Sequence, residues 1–579
     1  MRSVPPPSSR VHPMRAKSRA FVTPQTIGFL TDSFTDFYQL GLLQGALEAA
    51  QDRGIGLIAF AGRVPATPSP EDALVSSLNV EGLVVTAPTM AYRIGMDGLG
   101  QYVRGLGEMP VCFLGAQVPG LGSVLMDNRG GVEQAVRHLV RVHERRRIAF
   151  LRGTVGNAEA DLRFGAYCET LVAEGLHCDE ALVGIGDFVR HLGARAMNGI
   201  LESGKMPDAV VCANDAMAFG AIDALRERGL KVPGDVAVVG FDDTEEGQFS
   251  VPLLTSVGQP LRKQAAEGVR VVFDALTQRV APESVTLNLE LVTRTSCGCE
   301  GELSGLTSTR TAPMSSSFEL VLRQRRPLIV AEMARSSQAG LGRISPDWGD
   351  RLVDALIPEL RGLGERPFLR ALENELEQSR ASRGQLARWH RIISVLRQET
   401  RAALGSNLAQ LERAEDVFHA AREVVSREME HAQASLRLSG DRWVRVLRES
   451  GIALGAARTF DDLTAALVES LERLGFRRAY VAVRGKQPGM SHLLLGWDRK
   501  LPLQQVPPPS FETQRLAPEG LLPRDEPALW AALPLTRGDQ QLGHLLVDIG
   551  AGEGLVWEGL CQQVSLALEL CCAAACREQ

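Results

Sequence analysis

Two pairs of polar residues follow apolar runs in the 579-residue sequence. Asn214 and Asp215 follow VVCA, and Asp242 and Asp243 follow VAVVGF. Such runs predict buried strands, and ligands of open α/β sheets bind outside the carboxyl ends of those strands. Amide and carboxylate groups there can exchange hydrogen bonds with hydroxyl groups, as a polyol ligand requires. The sequence therefore predicts a site for a small polar ligand, of which a sugar is one example.

Other side chains near predicted strand ends extend this candidate site. Arg163 opens the helix pattern RFGAY, and its planar guanidinium can hold two ligand oxygens. Asp215 and Asp243 also suit a second role, because a carboxylate before a helix can cap its first N–H groups. Both interpretations of these two carboxylates stay open.

A loop rich in aromatic and acidic residues follows the first predicted strand. It reads DSFTDFYQ and contains Phe34, Asp36 and Tyr38. We predict that these residues face the ligand, with an aromatic ring stacked on the apolar face of a sugar. A core position is an equally good interpretation for Phe34.

Short apolar runs alternate with helical stretches from Thr26 to about residue 300. This alternation indicates βαβ units and a parallel sheet. A single doubly wound sheet rarely needs so many residues, so the pattern favours two similar lobes. The predicted fold class is α/β with two lobes.

Several motifs occur in order within residues 26–300. They are DNRGGVEQAVRHL, RRIAFLRG, RFGAY, PDAVVCANDAMAFGAIDALRERGLKVPGDVAVVGFDD, PLLTSVGQPL and LVTRTSCGC. Together they resemble the ligand-binding domain of the LacI/GalR regulators, which has the type I periplasmic-binding-protein fold. The resemblance implies ligand contacts for Arg163, Asn214 and Asp242, and for Gln259 on a segment that crosses between lobes. It also implies a homodimer.

The sequence departs from that family at its beginning. The family's Asn-Pro-Phe after the first strand is replaced by the loop containing Phe34, which resembles a subgroup fused to signalling domains rather than to a DNA-binding headpiece. Residues 1–25 carry five basic and no acidic residues, with three successive prolines. They predict a disordered basic tail that is too short for a helix-turn-helix headpiece.

The remaining chain divides by composition. Residues 301–317 are rich in Ser, Thr, Gly and Pro and predict a linker. Residues 318–448 predict helices, with an apolar seam that suits either a coiled coil between chains or packing within the domain. The seam comprises Leu411, Ala414, Phe418, Ala421, Val425, Met429, Ala432 and Leu436.

Residues 449–579 predict an α+β domain. The stretch RESGIALGAARTFDDLTAALVESLERLGFRRAYVAV and the later GHLLVDIG resemble a GAF domain. That resemblance implies either small-ligand binding or dimer formation.

Composition excludes several classes of protein. A net charge of −6 argues against a surface covered with nucleic-acid-binding charge. The ten cysteines are too sparse for a disulfide framework, and without C-x-x-C spacing they predict free thiols and no metal site. An export signal and a long apolar run are missing, so we expect a cytoplasmic protein without membrane spans. Common nucleotide, zinc-protease and hydrolase motifs are also missing, so we expect neither an enzyme nor a bound cofactor.

The leading hypothesis is a cytoplasmic sensor and regulator in transcription or signal transduction. Ligand-induced lobe closure would be relayed through the helical segment to the GAF-like domain and a partner protein. The alternative is a LacI-family regulator that binds DNA directly through a non-standard segment. A third reading is a scaffold whose ligand site has decayed.

Overall fold

The computed structural model describes most of the chain. The described residues are 25–62, 74–91, 94–299, 318–336, 345–363, 365–379, 386, 388–405, 407–485, 487, 489–499, 510–522, 527–538, 540–549 and 554–577. The predicted basic tail, apart from Gln25, and the predicted linker lie outside them. Within these ranges, no helix is both long enough and apolar enough to cross a membrane.

The backbone alternates strands and helices over its first half. The strands are β1 (Thr26–Thr31), β2 (Gly56–Ala61), β3 (Gly82–Thr86), β4 (Val111–Leu114), β5 (Gly122–Met126), β6 (Ile148–Arg152), β7 (Val183–Ile185), β8 (Ala209–Cys212), β9 (Ala237–Asp242), β10 (Thr255–Gly258), β11 (Ser284–Leu287), β12 (Glu290–Val292), β13 (Arg478–Arg484), β14 (Met490–Asp498), β15 (Ser510–Glu512), β16 (Leu529–Arg537) and β17 (Gln540–Asp548).

Helices also occur in the first half of the chain, and between β12 and β13 the described residues form helices and no strand. They are α1 (Phe37–Arg53), α2 (Ala87–Met90), α3 (Gly95–Gly105), α4 (Asn128–Arg141), α5 (Ala158–Ala173), α6 (Arg190–Glu202), α7 (Asp215–Glu227), α8 (Glu245–Phe249), α9 (Leu261–Gln278), α10 (Phe318–Ser336), α11 (Trp348–Leu360), α12 (Pro367–Ser379), α13 (Arg388–Leu404), α14 (Leu408–Ala456), α15 (Phe460–Leu474) and α16 (Gly554–Arg577).

The chain forms two compact units. The first unit contains Met1–Ser123, Arg262–Glu283 and Phe476–Ser565, and the second contains Val124–Leu261, Ser284–Gly475 and Leu566–Gln579. Parallel neighbouring strands occur in both units, β4, β3, β1 and β2 in the first and β6 to β10 in the second, which confirms the predicted two-lobed α/β fold for the first half of the chain.

The sheet of the first unit continues into the C-terminal segment. Strands β4, β3, β1 and β2 are parallel neighbours, and β16 pairs in parallel with β2 before β17, β13, β14 and β15 complete the sheet. The side chains of Phe60, Tyr480 and Trp530 lie in one apolar core. The sequence predicted a separate domain from residue 449. Its strands instead join the first lobe, because β2 would otherwise present a row of unpaired backbone N–H and C=O groups.

The sheet of the second unit has the strand order β12, β10, β9, β8, β6 and β7. Strands β6 to β10 are parallel, and only β12 runs in the opposite direction. Their carboxyl ends therefore meet at one edge of the sheet.

The helices α10 to α14 share an apolar core within the second unit. Ala414, Phe418, Ala421 and Val425 of the predicted seam are buried in this core. The seam is therefore filled by neighbouring helices of the same chain over this stretch, as the packing interpretation predicted. The side chain of Leu436 lies outside the described residues.

Two cysteines differ from the expected free thiols. Cys168 and Cys178 form a disulfide with their Cα atoms 5.1 Å apart, a separation typical of such bonds. The pair joins α5 to the segment just after it, a local bridge rather than a framework.

Candidate functional site

Polar and aromatic side chains gather at the carboxyl edge of the second unit's sheet. Phe188 follows β7, Asn214 follows β8, Asp242 ends β9 and Gln259 follows β10. Because these strands run parallel to one another in a single sheet, the four residues lie along one edge. This edge, which we call the ligand edge, is where open α/β sheets bind their ligands.

Arg163 is fixed beneath the ligand edge. Its side chain projects from α5 and is only 2% exposed. Its Nε donates to Asn128 Oδ1 at 2.7 Å, and a terminal nitrogen donates to the Ala213 carbonyl at 2.6 Å. The guanidinium also lies 3.7 Å from the centre of the Phe241 ring. A charge held this firmly can set the field at the edge with little reorganisation.

Asp242 and Gln259 form a pair of oxygen acceptors. Gln259 Nε2 donates to Asp242 Oδ1 at 2.7 Å, while Gln259 Oε1 is buried with no hydrogen-bond partner among the described residues. Asp242 adopts a φ of 126°, a conformation that side-chain-bearing residues rarely adopt and that is found mainly where function requires it. A buried acceptor without a donor costs free energy, so this oxygen suits a ligand hydroxyl.

Asp215 does not face the ligand edge. It is fully buried, and its carboxylate accepts hydrogen bonds from Ser256 Oγ at 2.6 Å and from the backbone N–H and hydroxyl of Thr244 at 2.8 and 2.9 Å. Burial raises the pKa of Asp215 to about 6. The predicted ligand contact is not supported, because these bonds occupy both oxygens.

Asn214 performs the capping role that the sequence offered to Asp215. Its Oδ1 accepts from the Met217 N–H at 2.9 Å at the start of α7, and its Nδ2 donates to the Phe188 carbonyl at 3.1 Å. Asp243 does not cap α8, whose N-cap residue is Thr244, and its carboxylate forms an ion pair with Arg294 at 2.5 Å. Asn214 therefore positions the Phe188 backbone at the edge.

In the loop after β1, the structure decides between the two predicted positions of Phe34, which were ligand contact and core. Phe34 is fully buried, its ring lies 5.6 Å from that of Trp557 in an edge-on contact, and its N–H donates to the Glu558 carboxylate. Asp36 caps α1 by accepting from the N–H groups of Tyr38 and Gln39 at 2.8 and 3.1 Å. Phe34 cannot stack on a ligand in this arrangement, so the core interpretation holds for it.

Tyr38 is half-buried in the first unit. A side chain at Gly115, which has a φ of 83°, would lie 3.4 Å from the Tyr38 hydroxyl.

Sequence reasoning missed Phe188 and Asn128. Phe188 has a φ of 63° and is half-buried, and its ring lies so close to Gly153 that any side chain there would clash. The sequence does contain a signal for Phe188, the segment GIGDF, which begins in the short strand β7 and has two glycines before Phe188. Asn128 was hidden because its contact with Arg163 joins two helices that are separate in sequence.

The pKa of Asp242 predicts how stability depends on pH. Burial, assisted by the nearby Asp215 charge and opposed by Arg163, raises this pKa to about 8. The folded protein then retains a proton that the unfolded chain releases near pH 4, so this contribution to stability falls as the pH rises from about 4 to about 8.

Asp242→Asn removes this titration and retains an acceptor for Gln259. We expect the variant to gain stability relative to the parent as the pH rises through the window. Urea unfolding near both ends measures the difference. A difference in stability that does not change with pH would contradict the assignment.

Known proteins are similar to part of this chain. A model of the periplasmic binding protein-like domain matches residues 136–297. The HTH-type transcriptional regulator CelR of Thermobifida fusca is 31% identical over 271 residues, which cover 45% of this chain and 77% of that protein. The HTH-type transcriptional repressor CytR of Escherichia coli K12 is 29% identical over 222 residues, covering 38% of this chain and 64% of the repressor.

A solved CelR–cellobiose complex is also similar to part of this chain. It aligns with a TM-score of 0.42 and 29% identity over 48% of this chain and 86% of that one. Given the identity to CelR over more than three quarters of its length, the chain belongs to the LacI/GalR family through a periplasmic-binding-protein-like ligand-binding domain.

Proposed function

We propose that this protein is a regulator that senses a small polar ligand such as a sugar. The observation that carries the proposal is the buried Gln259 Oε1, which has no donor among the described residues and lies beside the Asp242 carboxyl. A ligand hydroxyl can donate to this oxygen and remove the cost of leaving it unpaired. The solved complex of CelR contains cellobiose, which is a sugar.

The residues of the ligand edge have different roles in the proposed binding of the ligand. Asp242 and Gln259 accept hydrogen bonds from ligand hydroxyls, and the half-buried Phe188 ring offers an apolar surface for the face of a sugar ring. Arg163 positions the edge through Asn128 and the Ala213 carbonyl. We keep Asp36 and Tyr38 as proposed ligand contacts from the loop after β1.

The relay begins at the same loop. Trp557 and Glu558 of α16 contact Phe34, and a side chain at Gly554 would clash with the Phe34 carbonyl oxygen. We propose that the GAF-like segment reads the position of this loop when ligand closes the lobes. Such a change requires that the ligand bind one state more tightly than the other. The helices α10 to α14 would carry the change to a partner protein, with the chain acting as a homodimer.

A ligand screen tests the sensing function. Saccharides and nucleosides are titrated against the parent, Asp242→Asn and Asp97→Asn, whose altered residue is exposed on α3. We expect one ligand class to bind the parent and Asp97→Asn equally. Asp242→Asn should bind about 10- to 100-fold more weakly, because the amide leaves a ligand hydroxyl without its carboxyl partner, and a buried polar group left unsatisfied costs about 1–3 kcal/mol. Isothermal titration calorimetry measures the affinities, and equal affinity for all three proteins would contradict the site.

Direct DNA binding is the second candidate. Three relatives, CelR, CytR and the repressor MelR of Bacillus subtilis, are HTH-type transcriptional regulators or repressors. Mobility shifts of genomic fragments at increasing salt distinguish the candidates, since binding through phosphate contacts weakens steeply with salt. A sequence-specific mobility shift that weakens with salt would support direct DNA binding and contradict the relay to a partner protein.

A further inference from the structure

A group of four potential metal ligands lies in the second unit, on residues that the ligand edge does not use. His138 lies in the last turn of α4, His143 follows that helix, and Cys297 and Cys299 lie around the turn that ends the ligand-binding domain. One donor atom from each side chain lies within 4.8 Å of the other three. Imidazole nitrogens and cysteine sulfurs therefore converge on one point.

Four of the six separations between donor atoms are close to those of a tetrahedral metal site, and the other two are at most 4.8 Å. The two Nε2 atoms are 3.2 Å apart, and Cys299 Sγ is 3.4 Å from each of them. Cys297 Sγ is also 3.4 Å from His138 Nε2. Around a tetrahedral Zn²⁺, with bonds of about 2.0–2.1 Å to nitrogen and about 2.3 Å to sulfur, neighbouring ligand atoms lie roughly 3.3–3.8 Å apart.

The local backbone is shaped for this convergence. Gly298 separates the two cysteines with a φ of 111°, and a side chain there would lie 3.1 Å from the His143 ring. Glu144 has a φ of 54° immediately after His143 and turns the chain away from the helix. Thr255 Oγ1 donates to Cys297 Sγ at 3.1 Å, a bond of the kind that supports a metal-bound thiolate.

We propose that His138, His143, Cys297 and Cys299 bind a structural Zn²⁺ ion. Two thiolates and two imidazoles favour zinc over the hard cations Mg²⁺ and Ca²⁺, which prefer oxygen ligands. Four protein ligands complete the tetrahedron and leave no open position, as in structural rather than catalytic sites. The ion joins α4 to the last residues of the ligand-binding domain, and so fixes where the chain leaves that domain towards α10.

Metal content tests the site in the full-length protein. Protein purified with reductant and dialysed without chelator is compared with Cys299→Ser and His143→Gln. The controls are Cys572→Ser and His177→Gln, whose altered residues are exposed and outside the cluster. We expect one equivalent of zinc per chain in the parent and both controls, and its loss from both ligand variants. Mass spectrometry of the metals measures it, and a parent without zinc that also fails to bind added Zn²⁺ would overturn the proposal.

A measurement on the parent protein avoids dependence on variants that fail to fold. Co²⁺ replacing zinc is expected to give the absorption of a tetrahedral ion with thiolate-to-cobalt charge transfer, and Zn²⁺ should protect Cys297 and Cys299 from alkylation. A cobalt spectrum without thiolate bands would overturn the site. So would a Cys297–Cys299 disulfide in protein kept reduced.

Removing the ion should also change stability. A zinc chelator is expected to lower the thermal midpoint of the parent, and one equivalent of Zn²⁺ should restore it, because an ion bound only to the folded state stabilises that state. The ligand variants should show neither effect. Ligand binding at Asp242 is measured separately, so failure of either proposal leaves the other standing.

Discussion

Arg163→Ala is expected to destabilise the ligand-binding domain by about 3–5 kcal/mol, the cost of removing one partner from a buried, hydrogen-bonded charge. The substitution leaves Asn128 Oδ1 and the Ala213 carbonyl without their donor. It also removes the positive charge that lowers the pKa of Asp242 and lies 3.8 Å from the Glu159 carboxylate. Water cannot easily replace these contacts, because Arg163 is 2% exposed.

Hydrogen exchange of individual peptides measures the loss of stability in the strands around Arg163. Peptides from β6, β8 and β9 should exchange faster in Arg163→Ala than in the parent. Arg129→Ala is the matched control, because it removes an exposed ion pair with Glu169 and should leave exchange unchanged. Protection equal to that of the parent in Arg163→Ala would mean that Arg163 does not hold the edge together.

Phe34→Ala is expected to cost about 3–5 kcal/mol, the range for removing a buried aromatic ring. Phe34 is fully buried and contacts Trp557, so the change leaves a cavity beneath the start of α16. The same change would have little effect on stability and a large effect on affinity if Phe34 stacked on ligand. Stability and affinity together therefore decide between the two interpretations of this residue.

Tryptophan fluorescence and limited proteolysis measure the result. We expect Phe34→Ala to alter Trp557 emission and to expose α16 to protease. Phe37→Ala changes an aromatic residue that is 48% exposed three positions away, and should do neither. If α16 of Phe34→Ala resists protease as well as α16 of the parent does, the contact between Phe34 and α16 is not important, and the proposed relay is contradicted.

Much of the ligand edge could be predicted from the sequence. Apolar runs followed by polar residues placed Asn214 and Asp242 at strand ends, and parallel strands necessarily bring those ends together. Gln259 was predicted through its motif and lies beside Asp242. Phe188 escaped because its strand is short and half-exposed, which weakens the apolar signal.

Asn214 and Asp215 are adjacent residues whose roles could not be distinguished from the sequence around them. Asn214 and Asp215 both suit a cap or a ligand contact by residue type. The fold decides between them, because Asp215 begins α7 and turns inward to Ser256 and Thr244, while Asn214 caps the helix from outside. Those partners come from segments after β9 and within β10, which no pattern around residue 215 can reveal.

The sequence by itself determined the α/β order of elements, the carboxyl edge where a ligand would bind, and the helical middle of the chain, because these follow from periodicity and from neighbours a few residues apart. Only the tertiary structure decided that β16 completes the edge of β2, that Phe34 belongs to the core, and that His138 and His143 meet Cys297 and Cys299. Each of these contacts joins distant segments of the chain. Their formation depends on which backbone edges and side-chain surfaces remain unpaired after the local elements have formed.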